Sequence, residues 1–407
     1  MTDLLYITTD AMTARTFLAR TGQLRFLVDA GYDCAVACGG DAESVAAELS
    51  DQGVDVPVEP VAIAREIRPF ADARSLVALV RLLRRVRPTI VNASTPKAGL
   101  LGMIAAAVCR VPVRVYLLRG LRHETTGGLK RRILMLCEWI ASACATQVIS
   151  VSPSLQDVYL SQRLCPPNKI RVLGGGSSNG VNVDRFDLAD ERAVVRKQVR
   201  GDAGIPDDAF TLGFVGRLTV DKGIADLLDA FEAIPSTPDR PLHLLLVGDY
   251  EDGDALDRSL RDRIERHPRI HRTGFVAATE RYYAAMDLFV FPSYREGFPN
   301  APLEAAAAGL ATVGFDATGT RDAVVDGETG TLVRPHNAAG LSEAIETLVA
   351  DDLKRTRYER AGVARVRESF RPQTIFALWR IEYARLLNRA GHAVPQRGDG
   401  QSVRRAA

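Results

Sequence analysis

Leu288-Phe289-Val290-Phe291-Pro292-Ser293-Tyr294-Arg295-Glu296-Gly297-Phe298-Pro299-Asn300-Ala301-Pro302-Leu303-Glu304 reads as a strand, a Gly/Pro loop and the start of a helix. The run Leu288–Phe291 is short and wholly apolar, as in a strand covered on both faces. Pro302 fits only a first helical turn, Asn300 is the expected cap, and Gly309 ends an Ala-rich helix over 302–308. Loop amides and the positive helix end together favour a phosphate. Two carboxylates, Glu296 in the loop and Glu304 on the helix, stand with seven residues between them. A ligand with two separated sets of hydroxyls, such as a nucleotide sugar, can be gripped at both ends by such a pair. Alternatively, Glu304 complements the helix dipole and Glu296 pairs with Arg295 on the surface.

The same strand–loop–helix unit recurs along the chain. Strand candidates are Leu4–Thr8, Cys34–Cys38, Thr89–Asn92, Arg114–Leu117 and Gln147–Val151, then Thr211–Val215, His243–Val247, Leu288–Phe291, Ala311–Gly314 and Gly330–Val333. Amphipathic stretches such as Ser75–Val86 and Gly223–Ala233 lie between them. This alternation predicts an α/β protein with two parallel sheets, each covered by helices. The 407-residue length suits two Rossmann-like domains facing each other across an interdomain cleft. The division falls at Gly174–Gly180, giving an N-terminal domain over 1–180 and a second over 181–371. A C-terminal helix over 372–390 is expected to pack back toward the first domain, and 391–407 to form a disordered tail. Ligands of such sheets sit beyond the carboxyl ends of the strands, where the motifs fall.

Composition narrows the class. Hydrophobic content of 46% and charged content of 25% describe an ordinary globular chain. Met1–Asp10 lacks the basic start and apolar stretch of a signal peptide, and the longest apolar run, Leu100–Cys109, is too short to span a bilayer. The six cysteines form neither a CxxC pair nor a zinc set, and read as reduced thiols of a cytoplasmic protein. Net charge is +2, with 22 Lys/Arg against 16 Asp/Glu in residues 1–185. That mild imbalance suits a diphosphate or phospholipid surface and is too weak for nucleic acid.

A second motif, Gly213-Phe214-Val215-Gly216-Arg217-Leu218-Thr219-Val220-Asp221-Lys222-Gly223, ends a strand at Val215, turns at Gly216 and enters a helix near Gly223. Arg217 and Lys222 bracket that helix start. Arg by bidentate contact and Lys as a point charge make a diphosphate site there, unless both are solvated loop charges with Asp221 pairing Lys222. No GxGxxG follows the first strand, and Gly174–Gly180 lacks a P-loop ending, so no nicotinamide, flavin or other cofactor is expected. No nucleophile–His–acid set stands out, and only His123 lies near the expected cleft. Asp249, Asp252 and Asp254 resemble part of a calcium loop without its closing glutamate, so no metal is expected.

Gly216-Arg217-Leu218 with Lys222-Gly223, Thr273-Gly274-Phe275-Val276, and the Glu296/Glu304 pair together resemble the retaining GT-B glycosyltransferases of family 4. Ser94-Thr95-Pro96-Lys97-Ala98-Gly99, Leu118-Arg119-Gly120-Leu121-Arg122, Gly176-Ser177-Ser178-Asn179-Gly180 and Phe291–Gly297 resemble its bacterial capsule and exopolysaccharide branch. The resemblance covers residues 1 to 388. It implies that Arg217 and Lys222, beside Gly216, hold the donor diphosphate. Glu304 would bond the ribose. Glu296 would meet the donor sugar, with the amides of Gly297, Phe298, Pro299 and Asn300 around it and backbone near Phe275 reading the base. Many members carry His-Gly where this chain has Arg119-Gly120. Arginine stays charged, so Arg119 is expected to neutralise a phosphate of donor or acceptor, with His123 or Glu124 nearby, rather than accept a proton. Thr8-Thr9-Asp10-Ala11-Met12 also lacks the Gly pair of related enzymes.

The resulting expectation is a metal-independent retaining hexosyltransferase. It would move an N-acetylated or deoxy hexose from a nucleotide diphosphate, UDP by preference, to a lipid-diphosphate-linked saccharide in surface polysaccharide synthesis. Arg81, Arg84, Arg85 and Arg87, and Lys130, Arg131 and Arg132 beside Ile133–Leu136, suggest peripheral contact with the inner face of the cell membrane; solvated basic faces are the alternative. A sugar-nucleotide epimerase and a non-catalytic nucleotide-sugar-binding protein are the rival readings.

Overall fold

A computed structural model describes residues 2–64, 68–188, 191–237, 241–251 and 254–396. The chain forms two compact units. One holds residues up to Asn179 together with the chain from Pro372 onward; the other is Gly180–Arg371.

The first unit is a seven-stranded parallel sheet of β1 (Leu4–Thr8), β2 (Cys34–Cys38), β3 (Val58–Pro60), β4 (Ile90–Ser94), β5 (Val113–Leu118), β6 (Gln147–Ser150) and β7 (Ile170–Val172). Its order is β3-β2-β1-β4-β5-β6-β7. β1, β2, β4 and β6 are buried along their whole length, which is why they read as unbroken apolar or small-residue runs. The second unit is a six-stranded parallel sheet of β8 (Phe210–Val215), β9 (Leu242–Val247), β10 (Ile270–Arg272), β11 (Leu288–Phe291), β12 (Thr312–Phe315) and β13 (Gly330–Val333), ordered β10-β9-β8-β11-β12-β13.

β3, β7 and β10 were not among the sequence candidates. Each is a three-residue sheet edge with little apolar signal of its own. The helix expected from Ser75 begins six residues earlier, at Pro69, because a proline can occupy the first helical position. The last helix is Pro372–Arg389. Of the expected tail, residues 397–407 lie outside the described residues.

That helix completes the core of the first unit. Trp379 and Tyr383 are almost fully buried. The Phe376 ring lies 5.7 Å from Phe26, Tyr383 meets the Tyr6 hydroxyl at 3.0 Å and accepts from Asn92 Nδ2 at 2.7 Å, and Trp379 Nε1 donates to Ser178 O at 3.2 Å. Two large aromatics whose polar atoms also find partners make this contact energetically substantial.

Glu138, on the inner face of the helix Gly128–Cys144, is buried and accepts the hydroxyls of Tyr116 at 2.8 Å and Tyr159 at 3.3 Å. Burial pushes its carboxyl up to about 7, and the two hydroxyls only partly oppose this. An unfolded chain releases that proton near the ordinary value of 4.5. Between those values the folded unit holds a proton that the unfolded chain has lost, so stability should fall as pH rises from 4.5 to 7. Glu138→Gln is expected to flatten that part of the apparent Tm–pH curve. An unaltered slope would assign the dependence to another group.

Candidate functional site

The strand order of the second unit reverses between β8 and β11: β8 continues to β9 on one side, while β11 continues to β12 on the other. In open α/β sheets, loops leaving the carboxyl ends of such a pair diverge and leave a crevice. Gly216 and Arg217 leave β8 there, and Pro292–Gly297 leave β11. Both sequence motifs therefore hang from one switch point.

Two glycines allow these loops to meet. Gly223, at φ +69°, ends the turn Val220–Lys222 and caps the helix Ile224–Ala233; a Cβ there would stand 2.0 Å from Pro292 O. Gly248, just beyond β9 at φ +152°, approaches so closely that a Cβ would lie 1.8 Å from Gly216 O. A side chain at Gly223 would force the β8 and β11 loops apart, and one at Gly248 would push the β9 loop off the β8 loop.

Lys222 Nζ is ion-paired to Glu296 Oε1, with both side chains about seven-eighths buried. Ser293, wholly buried, donates from Oγ to the same Glu296 oxygen at 2.7 Å. The Tyr294 amide donates to Asp221 O at 3.0 Å, and the Glu296 amide to Thr318 O at 2.9 Å, so backbone bonds hold the loop on both sides. Asp221 does not pair with Lys222 as the local alternative had it. Its carboxylate accepts the Thr219 hydroxyl at 2.6 Å and faces Arg295 at 3.4 Å. Burial raises its pKa, yet the Thr219 bond and the charges of Lys222, Arg295 and Arg217 outweigh that and hold it below the usual range. Three cations thus act on one carboxylate at this end of the sheet. Nor does Glu296 pair with Arg295, as the surface alternative supposed.

Arg217 is paired to Glu251 at the surface, with its side chain more than half exposed. Both cations read as diphosphate ligands are therefore held by carboxylates in this structure. Phe275 follows Gly274, which bridges to Gly248, and its ring is 76% exposed.

Glu304 lies on the helix Asn300–Ala307. Asn300 is not the cap: Pro299 is extended, with φ −78° and ψ 130°, and Asn300 is already helical. Pro302 therefore sits third, where its missing N–H costs no bond because the first four amides of a helix are free in any case. Glu304 is the fifth helical residue, past those free amides, so the dipole is a poor reason for it. The buried Tyr283 hydroxyl donates to Glu304 Oε2 at 2.9 Å. Burial raises the Glu304 pKa; the Tyr283 bond and the charge of Arg185 oppose this. Gly297 is buried, and the Phe298 ring packs 5.4 Å from Phe370, so Phe298 anchors the loop.

Arg119 belongs to the first unit, directly after β5. Its guanidinium stacks 3.8 Å over the Phe17 ring and donates to Ser178 Oγ at 3.0 Å, while its Nε is buried without a partner. Burial lowers its pKa to about 10, partly offset by Tyr6 and Tyr383, so it remains a cation at neutral pH. His123, the histidine expected near a cleft, is buried and bonded to Gln162. Of the calcium-loop candidates, Asp249 faces Arg272 and Asp254 accepts the Asp221 amide, while Asp252 lies outside the described residues. Among the described residues no cluster of His, Cys, Asp or Glu is arranged to hold a metal.

Ser293 and Tyr283 were missed by the sequence reading. Ser293 lies three residues before Glu296 and could have been suspected from the motif. Tyr283 is 21 residues from Glu304 and meets it only through the fold.

The family described as Glycosyl transferases group 1 matches residues 209–351, and the Glycosyl transferase 4-like domain matches residues 21–176. The capsular polysaccharide biosynthesis glycosyltransferase CapM of Staphylococcus aureus is 36% identical over 355 residues, covering 87% of this chain and 90% of that one. The UDP-Gal:alpha-D-GlcNAc-diphosphoundecaprenol alpha-1,3-galactosyltransferase of Escherichia coli is 26% identical over 296 residues, covering 71% and 73%. Among solved structures, Anabaena Alr3699/HepE in complex with UDP and glucose matches with a TM-score of 0.77 at 21% identity, covering 94% of this chain and all of that one. The two parallel-sheet units are those of the GT-B fold.

Proposed function

Since the chain belongs to the group 1 glycosyltransferases with a family 4-like N-terminal domain, we propose that it moves a hexose from a nucleotide diphosphate to a lipid-diphosphate-linked saccharide, with retention and without metal. The observation that carries this reading is the grouping of Lys222, Glu296 and Ser293 at the β8/β11 switch point, with Arg217 on one adjoining loop and Glu304 on the helix that follows. The E. coli relative, named for a UDP-sugar donor and a diphosphoundecaprenol-linked acceptor, supports UDP and a lipid-linked acceptor; CapM supports capsule synthesis.

In this reading the second unit binds the donor. Its diphosphate draws Lys222 and Arg217 away from Glu296 and Glu251, which frees Glu296 for the sugar hydroxyls. Glu304, steadied by Tyr283, accepts from the ribose. Backbone near Gly274 and Phe275 reads the base, and the amides of Gly297–Asn300 lie along the sugar. The acceptor hydroxyl attacks the anomeric carbon on the face from which the diphosphate leaves. The carbon–oxygen bond to phosphate breaks, and the hydroxyl proton passes to the departing phosphate oxygen. Positive charge at Lys222 and Arg217 stabilises that departure. Arg119, a partly buried cation at the carboxyl end of β5, neutralises a phosphate, that of the acceptor in the first unit.

The test is transfer from a panel of nucleotide sugars to a short-chain lipid-diphosphate saccharide in excess chelator. Undiminished turnover and a product with the donor's anomeric configuration are expected. Loss of turnover restored by magnesium would remove the metal-free claim, an inverted product the front-side step, and a released isomer without acceptor would favour the epimerase.

A further inference from the structure

The helix Gly128–Cys144 of the first unit carries an apolar face that none of the described residues of its own unit covers. Leu129 is 72% exposed, Ile133 43%, Leu136 54% and Trp139 52%. Leu129, Ile133 and Leu136 recur at spacings of four and three, which places them along one stripe, with Trp139 one turn further on beside it. The opposite face is the buried one, with Glu138, Ala141 and Ser142. Lys130 and Arg132 flank the stripe and are exposed. Along the whole helix the acidic residue is Glu138, and it faces inward. The exposed side is therefore apolar at its centre and cationic at its rim.

The other basic helix, Pro69–Val86, differs. Its exposed side holds Arg74, Arg81 and Arg84, and its exposed large apolar residues are only Phe70, at the extreme start, and Val77. Arg85 is committed to Glu59. That is a solvated basic face, so the sequence expectation for Arg81, Arg84, Arg85 and Arg87 is better met by its own alternative.

We infer that the helix Gly128–Cys144 is a membrane-docking element that lays Leu129, Ile133, Leu136 and Trp139 into the interfacial layer of an anionic bilayer, with Lys130 and Arg132 on the headgroups. This deepens the lipid-linked acceptor reading and rests on it for its biological purpose, but its test needs no substrate. Charge decides for lipid over an apolar protein groove: an anionic surface satisfies both the rim and the centre of this face, whereas a neutral groove leaves the cations unpaired. The helix follows β5 and precedes β6 of a parallel sheet, so its Leu129 end stands at the carboxyl edge of the strands, the edge at which Arg119 leaves β5. Among the described residues no helix is long and apolar enough to cross a membrane.

The chain provides its own reporter. Of its two tryptophans, Trp379 is buried and Trp139 exposed, so a change of emission on adding vesicles reads Trp139. Phosphatidylglycerol vesicles should blue-shift the emission and protect it from iodide, and the shift should vanish in Trp139→Phe. Neutral phosphatidylcholine vesicles should bind at least about tenfold more weakly, as should phosphatidylglycerol for the Leu129→Ser/Ile133→Ser variant. Because these side chains are exposed, that variant should keep the wild-type Tm and its transfer rate to a water-soluble acceptor. Binding without a Trp139 shift that salt abolishes would reduce the face to charge adsorption and overturn the proposal. So would unchanged binding in Leu129→Ser/Ile133→Ser, or a concentration-dependent dimer that this variant abolishes. Vesicle binding without any sugar transfer would leave this inference standing and remove the proposed function instead.

Discussion

Lys222→Ala is expected to lower the transfer rate by roughly two to three orders of magnitude, with the loss in kcat as well as in kcat/KM. A charge-assisted contact to a departing diphosphate in a site sheltered from water contributes about 2–4 kcal/mol to the transition state. The side chain is only 13% exposed, so its charge is poorly screened by solvent. The substitution also leaves Glu296 without its cation while Ser293 still donates to it. A modest fall in Tm is therefore expected alongside the kinetic loss, because removing one member of a shielded ion pair strands the other. Lys222→Ala combined with Glu296→Gln separates the two effects: stability should recover while transfer stays low. Recovery of transfer in the double variant would mean that Lys222 serves only to neutralise Glu296, and the diphosphate role would fail. Arg217→Ala should lose rate to a similar extent without the stability cost, since its partner Glu251 lies at the surface.

The second large effect concerns Glu304. Glu304→Ala should cost most of the activity through weaker donor capture, visible as loss of the thermal shift that a bound nucleotide sugar gives the folded protein. The fold should tolerate the change, because burial already disfavours the charged carboxylate. What it leaves behind is the Tyr283 hydroxyl, whose second contact, Ala301 O at 3.3 Å, is a weak one. Tyr283→Phe is the informative companion. If Tyr283 orients Glu304, the variant should raise KM more than it lowers kcat, and Glu304→Gln, which can still accept that hydroxyl, should keep more activity than Glu304→Ala. Equal rates for Glu304→Ala and wild type would show that the donor lies elsewhere.

Much of this architecture is legible in the residues themselves. Strands covered on both faces must be continuously apolar, so β1, β2, β8, β9 and β11 announce themselves, and their alternation with helices of 3.6-residue periodicity implies parallel sheets. The Glu296/Glu304 spacing and the Gly216–Gly223 turn are likewise local, since each is one connection between a strand and the next helix. The short edge strands were not legible, because a three-residue edge is held by its neighbour's hydrogen bonds more than by its own side chains. The Asn300 assignment failed for a related reason. Cap preference is a local bias of about 1 kcal/mol, easily overridden by packing of the loop through Phe298 against Phe370.

What the sequence by itself determined was the class of protein: a parallel α/β chain carrying the strand–loop–helix motifs of a group 1 glycosyltransferase. Only the tertiary structure decided the pairing of those charges. Lys222 meets Glu296 across 74 residues, Arg217 meets Glu251 across 34, and Tyr283 meets Glu304 across 21. It also decided which basic helix leaves its apolar side bare. Periodicity reveals that a helix has an apolar face, but exposure depends on which neighbour packs against it, and that is a property of the assembled unit.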